Sequence, residues 1–140
     1  VAQRVASVFD QWPAEARPDA VMLISHTGCS ESVTFSGELA AGLDLTQQLM
    51  SAGWTRERLT SVVSKSIDPT PTPALPSERI VSVLGTTDTW LPYAGGVKLA
   101  TQWSIPAENR FEYRVGHLGM PVQLWRDHAP MERLRQLLHA

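Results

Sequence analysis

The chain has 140 residues, a net charge of −2 and 43% hydrophobic residues, which suits one globular domain. No basic stretch is present, so nucleic acid is not expected as a partner, and no hydrophobic run approaches the roughly 20 residues of a membrane-spanning helix. The single cysteine excludes an internal disulfide and a multi-cysteine metal site, and the lack of a secretory signal leads us to expect a cytoplasmic protein.

The first predicted element is a helix over residues 1–12, which Pro13 ends. Its hydrophobic residues recur at the spacing of one helix face: Val1, Val5, Val8, Phe9 and Trp12. No capping residue precedes Val1, so we expect this helix to start upstream and the sequence to begin inside a domain.

A strand is predicted at Ala20–Ser25, an unbroken and largely apolar run of strand length. Runs of this kind are typical of parallel sheets that are covered on both faces. The polar segment His26–Ser32 follows, and we expect it to form a loop that Phe35–Gly37 continues.

Two helices are expected next. Glu38–Met50 carries a loose stripe of leucines and is followed by Gly53, and Thr55 can cap a second helix with Leu59 on its apolar face. This part of the chain, with Trp54, is either a cap over an active site or a pair of ordinary crossover helices, and the sequence leaves both interpretations open.

The segment Asp68–Pro76 has four prolines in nine residues and cannot be a helix or a central strand. We interpret it as a rigid surface connector rather than a domain boundary, because neither side alone has a full core. Residues 1–140 are then one partial domain, in which residues 68–77 connect residues 1–67 to residues 78–140.

The remaining elements alternate between strands and helices. Strands are predicted at Ile80–Leu84 and Phe111–Val115, with a helix over Gly95–Trp103 between them. A short piece at Met120–Trp125 precedes a closing helix that starts at Pro130. This order predicts an α/β fold, a three-layer α/β/α arrangement with a mostly parallel sheet.

Two candidate catalytic residues follow the last two strands. Asp88 follows Ile80–Leu84 and His117 follows Phe111–Val115, so both are expected at the carboxyl edge of the sheet, where ligands bind in open α/β folds. A carboxylate that accepts from one imidazole nitrogen leaves the other nitrogen free to take a proton from a nucleophile. The alternatives are a turn aspartate and a loop histidine with structural glycines on either side.

Two motifs give the chain a family resemblance. Gly85-Thr86-Thr87-Asp88-Thr89-Trp90-Leu91-Pro92 after a strand is similar to the acid loop of α/β-hydrolases, and Gly116-His117-Leu118-Gly119-Met120 resembles their histidine loop. The histidine loop is also similar to that of polyhydroxyalkanoate synthases, which share the fold and use a cysteine nucleophile. Acid before histidine matches the family order. The resemblance implies the C-terminal part of an α/β-hydrolase fold.

The nucleophile of such a triad is not in this sequence, because no Gly-x-Ser-x-Gly occurs. We expect it before Val1, on a strand next to Ala20–Ser25. That run would otherwise be a flat apolar edge, which is an association hazard. We therefore expect the edge to be covered by a missing N-terminal half, another chain or a second copy of this one.

Other polar residues are weaker candidates. Cys29, with Ser30 and Ser32, lies beyond a strand end, but a free cysteine is more often a small buried residue. His26 can line the mouth of a pocket, and a metal site at a lone histidine is not expected. We expect substrate contacts from His26, Trp90 and Leu118.

The sequence therefore predicts a serine hydrolase that acts on a carboxylic ester or thioester, with a small acyl substrate and no cofactor. Asp88 and His117 complete its triad. Two alternatives stay open: a non-catalytic hydrolase-like subunit, and an acyltransferase of the same fold.

Overall fold

The computed structural model describes residues 2–139 and contains a three-stranded parallel sheet. Its strands are β1 (Val21–Ile24), β2 (Ile80–Gly85) and β3 (Arg110–Tyr113), in that spatial order. Val21 pairs with Ile80, and Ser82 pairs with Arg110. The predicted α/β class with a parallel sheet is therefore confirmed.

Helices connect and follow the strands. The α-helices are α1 (Ala2–Val5), α2 (Ser30–Ser36), α3 (Glu38–Gly42), α4 (Leu45–Ser51), α5 (Arg56–Leu59), α6 (Lys65–Ile67), α7 (Tyr93–Gln102), α8 (Met120–Arg126) and α9 (Ala129–Leu138). A π-helical segment, Thr60–Ser64, joins α5 to α6. Short 3-10 turns lie at Phe9–Gln11, Ala14–Ala16, Ser77–Arg79, Ala107–Asn109 and His117–Gly119. Within residues 2–139, no helix has the length and apolarity needed to cross a bilayer.

The central strand β2 is buried along its whole length. Successive residues of a strand point to opposite faces, so its side chains divide between two hydrophobic clusters. Ile80 packs in one cluster with Leu99 and Trp103 of the α7 region, whereas Val81 and Val83 pack in the other. Buried residues from α8 and α9 complete that second cluster: Met120 and Leu137. Neighbouring side chains of β2 thus pack into different hydrophobic clusters.

The predicted helix over residues 1–12 is wrong beyond Val5, and Val1 lies outside the described residues. The Ser7 hydroxyl donates to the carbonyl of Arg4 at 2.7 Å, a local bond that competes with helix continuation. A 3-10 turn follows and buries Phe9, while Trp12 stays 39% exposed. The regular spacing of the hydrophobic residues therefore arises from two short elements, α1 and the 3-10 turn, and not from one helix.

The expected helix Glu38–Met50 is also divided. Asp44 adopts a left-handed backbone with φ of 55°, which separates α3 from α4. Aspartate tolerates this conformation better than most residues, so the break has a local cause. The predicted loop at His26–Gly37 is partly wrong as well, because it contains α2, where Thr34 Oγ1 donates to the carbonyl of Ser30 at 2.9 Å.

Residues 30–67 bury two hydrophobic side chains, Ala40 and Leu59. No residue of this range belongs to either hydrophobic cluster. Several of its large apolar side chains are exposed, among them Leu43 and Met50. The predicted cap at Thr55 is confirmed, since its hydroxyl oxygen accepts from the backbone N–H of Arg58 at 3.2 Å. This part of the chain adds little to the packing around the sheet.

The proline-rich connector contains no helix or strand, as predicted, and it lies along the first hydrophobic cluster. The indole N–H of Trp103 donates to the carbonyl of Thr70 at 3.0 Å, and the N–H of Ala74 donates to the carbonyl of Ala6 at 3.1 Å. Trp103 is almost fully buried, so this bond satisfies a polar group inside the core.

Candidate active site

The loop after β2 holds a buried carboxylate in a fixed orientation. Asp88 is 5% exposed, and its Oδ1 accepts the backbone N–H groups of Trp90 and Leu91, each at 3.0 Å. Aspartate side chains commonly bond to backbone donors a few residues ahead in turns. Because Oδ1 is occupied in this way, Oδ2 is the oxygen that remains for another partner.

That partner is His117, in the loop after β3. Its Nδ1 lies 2.9 Å from Asp88 Oδ2, and the side chain is 32% exposed against 2% for the aspartate. The predicted contact between the two loops is therefore present. A carboxylate only accepts, so Nδ1 is the donor in this contact, and in the neutral ring Nε2 then presents its lone pair. Among residues 2–139, no hydrogen-bond partner of Nε2 is found.

The two loops are joined through their backbones. The N–H of Thr86 donates to the carbonyl of Tyr113 at 2.8 Å, which extends the β2–β3 pairing past the strand ends. At Gly85 an added Cβ would lie 2.5 Å from the carbonyl oxygen of Val115, so only glycine permits this approach. The sequence pointed instead to the two glycines on either side of His117. Gly116 has a φ of −84° that is open to any residue, whereas a Cβ at Gly119 would lie 3.1 Å from Val115 Cβ.

A shallow cavity of about 220 Å³ opens beside the imidazole. The Trp90 ring stacks on the His117 ring, with centroids 5.3 Å apart and an angle of 26° between the planes. Leu118 also lines this cavity and is 72% exposed. Two of the three residues expected to contact substrate therefore lie next to the histidine.

His26, the third of them, is placed differently. It is 4% exposed, its Nε2 lies 2.8 Å from the Ser82 hydroxyl, and it lines neither of the cavities that His117 lines. Burial lowers the pKa of His26 from 6.5 to about 4, so the ring is neutral at neutral pH. Its Nδ1 has no partner in the part of the chain that the structure describes. His26 is therefore a buried residue, and the expectation that it contacts substrate is wrong.

The other polar candidates line neither of the cavities at His117 and bond to other residues. Cys29 directly precedes α2, and its Sγ lies 3.7 Å from Glu31 Oε2. Ser30 bonds to Ser64, and the Ser32 hydroxyl donates to the carbonyl of Cys29. No group of three or more potential metal ligands is found among residues 2–139.

The sequence did not indicate that Ser25 belongs to this region. Ser25 follows β1 with φ of +44°, is 8% exposed, and has a hydroxyl with no partner among the described residues. It lines a second cavity, of about 310 Å³, whose other lining residues are Ile24, His117, Met120, Pro121 and Leu124. In the sequence, Ser25 is only the last residue of an apolar run. Nothing in that run indicates its positive φ or the cavity that it lines.

The arrangement has the parts of a proton-transfer centre. A buried carboxylate orients the imidazole so that Nε2 is left for another partner, and His117 lines two cavities. Within residues 2–139, no serine, threonine or cysteine side chain is hydrogen-bonded to His117. Compared with models of protein families, with curated proteins and with solved structures, the chain gives no match.

Proposed function

We propose that this chain supplies the acid and the base of a hydrolase that cleaves a carboxylic ester or thioester. The observation that carries the proposal is the 2.9 Å contact between Asp88 Oδ2 and His117 Nδ1, made by a buried carboxylate and a partly exposed ring. Buried aspartate, histidine and free Nε2 are the parts of a triad that do not themselves attack the substrate.

In the proposed reaction the nucleophile is a hydroxyl or thiol from a segment outside the described residues. Its proton passes to His117 Nε2 as its oxygen or sulfur bonds to the acyl carbon. The C–O or C–S bond of the substrate then breaks, and His117 returns the proton to the departing alcohol or thiol. Water, deprotonated by the same nitrogen, releases the acid and restores the nucleophile. Asp88 stabilises the imidazolium that forms in each half.

The finer fold is also a proposal: a three-layer α/β/α arrangement that corresponds to the C-terminal part of an α/β-hydrolase. Three features support it, namely a parallel order β1-β2-β3, an aspartate after β2 and a histidine after β3. The division of β2 side chains between clusters from α7 and from α8 and α9 is also consistent with helices on both faces. We place the nucleophile on a strand that would pair with the outer edge of β1.

We propose that residues 30–67 form a cap rather than crossover helices. They contribute to neither hydrophobic cluster, and they expose large apolar side chains such as Leu43 and Met50. Crossover helices would instead bury an apolar stripe against the sheet.

A second candidate is a non-catalytic subunit with a hydrolase-like site. The observation in its favour is that no described hydroxyl or thiol side chain bonds to His117. Such a protein would bind an acyl ligand without turnover, and an acyltransferase would instead pass the acyl group to an acceptor other than water.

The test is p-nitrophenyl butyrate hydrolysis by the full-length protein and by His117→Ala and Asp88→Asn, with His128→Ala as the matched control. His128 is exposed and lies outside the site, so this control should keep normal activity. We expect each site variant to lose about 10⁴-fold in kcat. Normal activity in both site variants would overturn the proposal.

Two further measurements separate the candidates. A fluorophosphonate probe with peptide mapping should label one serine or cysteine of the active protein and identify the nucleophile. Added methanol should be a minor acceptor for a hydrolase, whereas dominant formation of the methyl ester would indicate an acyltransferase. Binding of butyrate without any hydrolysis would favour the non-catalytic subunit.

A further inference from the structure

We infer that Glu38 is a positioning residue of the site, because it fixes residues 30–67 to the loop that carries Asp88 and Trp90. The orientation of the His117 ring then depends on where these residues, the proposed cap, meet that loop. This inference deepens the proposed function, since its effect on the reaction rate rests on that function. It gives residues 30–67 a part in orienting the base in addition to covering the site.

Two hydrogen bonds between Glu38 and Thr89 are the first support. The backbone N–H of Glu38 donates to the carbonyl of Thr89 at 3.0 Å, and Thr89 Oγ1 donates to Glu38 Oε2 at 2.6 Å. A hydroxyl bond to a carboxylate at this distance is stronger than one between neutral groups. Both residues are exposed, so water weakens each bond, but together the two bonds restrain the backbone and the side chain of Thr89.

The close approach of Gly37 to Trp90 is the second and independent support. Gly37 joins α2 to α3 and is buried. A Cβ at this position would lie 2.9 Å from the carbonyl oxygen of Trp90 and 2.6 Å from that of Val33. Its φ of −78° is open to any residue, so the position requires glycine for space and not for backbone conformation. We call the four residues in contact the cap junction: Gly37, Glu38, Thr89 and Trp90.

The loop side of the cap junction leads directly to the imidazole. Thr89 lines the cavity beside His117, and the ring of Trp90 stacks on the His117 ring. The N–H groups of Trp90 and Leu91 donate to Asp88 Oδ1, so the same loop also orients the carboxylate. A displacement of this loop would therefore change the stacked rings and the carboxylate together. The route from the cap junction to His117 is a single aromatic contact.

A purely structural role for Glu38 predicts a different result. Glu38 lies in the first turn of α3, where a carboxylate is favoured by the unpaired N–H groups of a helix. If that were its whole role, its loss would lower the thermal unfolding midpoint and leave the His117 ring in place. A signal from the His117 ring therefore separates the two roles.

NMR of the His117 imidazole in the full-length protein provides this signal without any substrate. The Hε1 resonance is assigned by its loss in His117→Ala, and it reports the ring current of Trp90. Glu38→Ala should shift this resonance toward its position in Trp90→Ala. Glu38→Gln keeps an acceptor oxygen for the Thr89 hydroxyl and should recover most of the wild-type position.

Glu132→Ala is the matched control for Glu38→Ala. Glu132 is also an exposed glutamate in the first turn of a helix, and its carboxylate accepts from Arg135 of that same helix. Glu132 lines neither of the cavities at His117, so its removal should leave the His117 resonance unchanged. A shift in this control equal to that in Glu38→Ala would overturn the inference.

Two further pairs of variants test the other residues of the cap junction. Thr89→Val removes the hydroxyl and should shift the His117 resonance, whereas Thr89→Ser should keep it near its wild-type position. Gly37→Ala should shift it as well, with Gly42→Ala as control, since a Cβ at Gly42 would meet nothing within 4 Å. If Gly37→Ala does not fold, which the thermal unfolding midpoint would reveal, the Glu38 and Thr89 pairs decide.

Kinetics give the second readout. Glu38→Ala should lower kcat for p-nitrophenyl butyrate by about 2- to 10-fold with KM nearly unchanged, as expected when one hydrogen bond that orients the base is lost. Glu38→Gln should restore most of the rate. A rise in KM alone would assign Glu38 to substrate binding and overturn its positioning role.

The outcomes also separate this inference from the proposed function. A His117 resonance that neither the Glu38 nor the Thr89 variants move would overturn the inference and leave the hydrolase intact. If the wild-type protein hydrolyses no ester, the NMR measurement decides alone. A shift in Glu38→Ala that Glu38→Gln reverses would then support the positioning of His117 without the enzyme, and the absence of a shift would overturn it.

Discussion

The carbonyl oxygen of Val115 lies 2.5 Å from the point where a Cβ on Gly85 would sit. This approach holds the aspartate loop against the histidine loop. We expect Gly85→Ala to destabilise the fold by about 1–3 kcal/mol, because the added methyl group meets a backbone atom and not a flexible side chain. Urea unfolding measures the loss.

Gly42→Ala is the control for this variant. A Cβ at Gly42, the last residue of α3, would meet nothing within 4 Å. Alanine should be neutral or stabilise by about 0.5–1 kcal/mol there. Equal stability of the Gly85 and Gly42 variants would show that the two loops do not need a glycine between them.

The two oxygens of Asp88 have different partners, and two substitutions separate them. Asp88→Asn keeps an oxygen for the N–H groups of Trp90 and Leu91, so its free energy of unfolding should stay within about 1 kcal/mol of wild type. Asp88→Ala removes both acceptors and should cost about 2 kcal/mol or more. Chemical unfolding of the pair checks this difference, and equal losses would contradict the loop geometry.

The stacked ring of Trp90 should position His117. Trp90→Ala removes an aromatic contact worth about 0.5–1.5 kcal/mol, so we expect a fall of about 2- to 10-fold in kcat. Trp90→Phe keeps a ring and should recover most of the rate. A change in KM alone, with kcat as in wild type, would instead assign Trp90 to substrate binding.

Two serines, Ser25 and Ser104, have a strained backbone conformation that glycine should relieve. Ser25 and Ser104 both have positive φ values, 44° and 53°, and glycine should stabilise either position by about 1 kcal/mol. Ser104 follows α7 and is exposed, so Ser104→Gly should gain stability with unchanged activity. Ser25→Gly should also gain stability. Thermal unfolding of the two variants measures both gains, and a loss of stability at either position would contradict backbone strain there.

His26 should make the fold sensitive to acid. Its pKa falls from 6.5 to about 4 on folding, so the unfolded chain binds more protons within that range. This contribution to stability is fully present above pH 6.5 and is lost as the pH falls toward 4. At ~1.4 kcal/mol per pKa unit, the loss is about 3 kcal/mol.

Urea unfolding at the two ends of that range measures the loss. His26→Gln should remove this part of the pH dependence, because glutamine does not titrate. His139→Gln, at an exposed histidine, should leave it in place. An unchanged slope in His26→Gln would mean that the ring takes up a proton in the folded state as easily as in the unfolded one.

Most of the sheet and the contact between Asp88 and His117 could be predicted from the sequence. Apolar runs of strand length located β1 and β2, because buried parallel strands require such runs, whereas β3 carries Arg110 and Glu112 and has no such run. The contact between Asp88 and His117 followed from strand order, since the carboxyl ends of parallel strands meet at one edge, and the two loop motifs singled out the residues. These features depend on the pattern of residues and not on their detailed packing.

What the sequence did not predict depends on local backbone geometry. The breaks after Val5 and at Asp44 come from a side-chain bond and a left-handed residue, which hydrophobic spacing does not encode. The importance of Gly85 depends on a neighbouring strand, and Ser25 on an unusual φ at the end of an ordinary apolar run. Such features are set by tertiary contacts.

The two outer strands of the sheet, β1 and β3, differ in how readily a further strand can pair with their free edges. β3 carries Arg110 and Glu112, charges that discourage pairing at its free side, whereas β1 is apolar and leaves Ile24 42% exposed. A further strand would therefore join beside β1. If that strand ran parallel to β1, its last residue would lie next to Ser25, at the cavity that Ser25 and His117 line. A single added β-strand could therefore bring a nucleophile to His117.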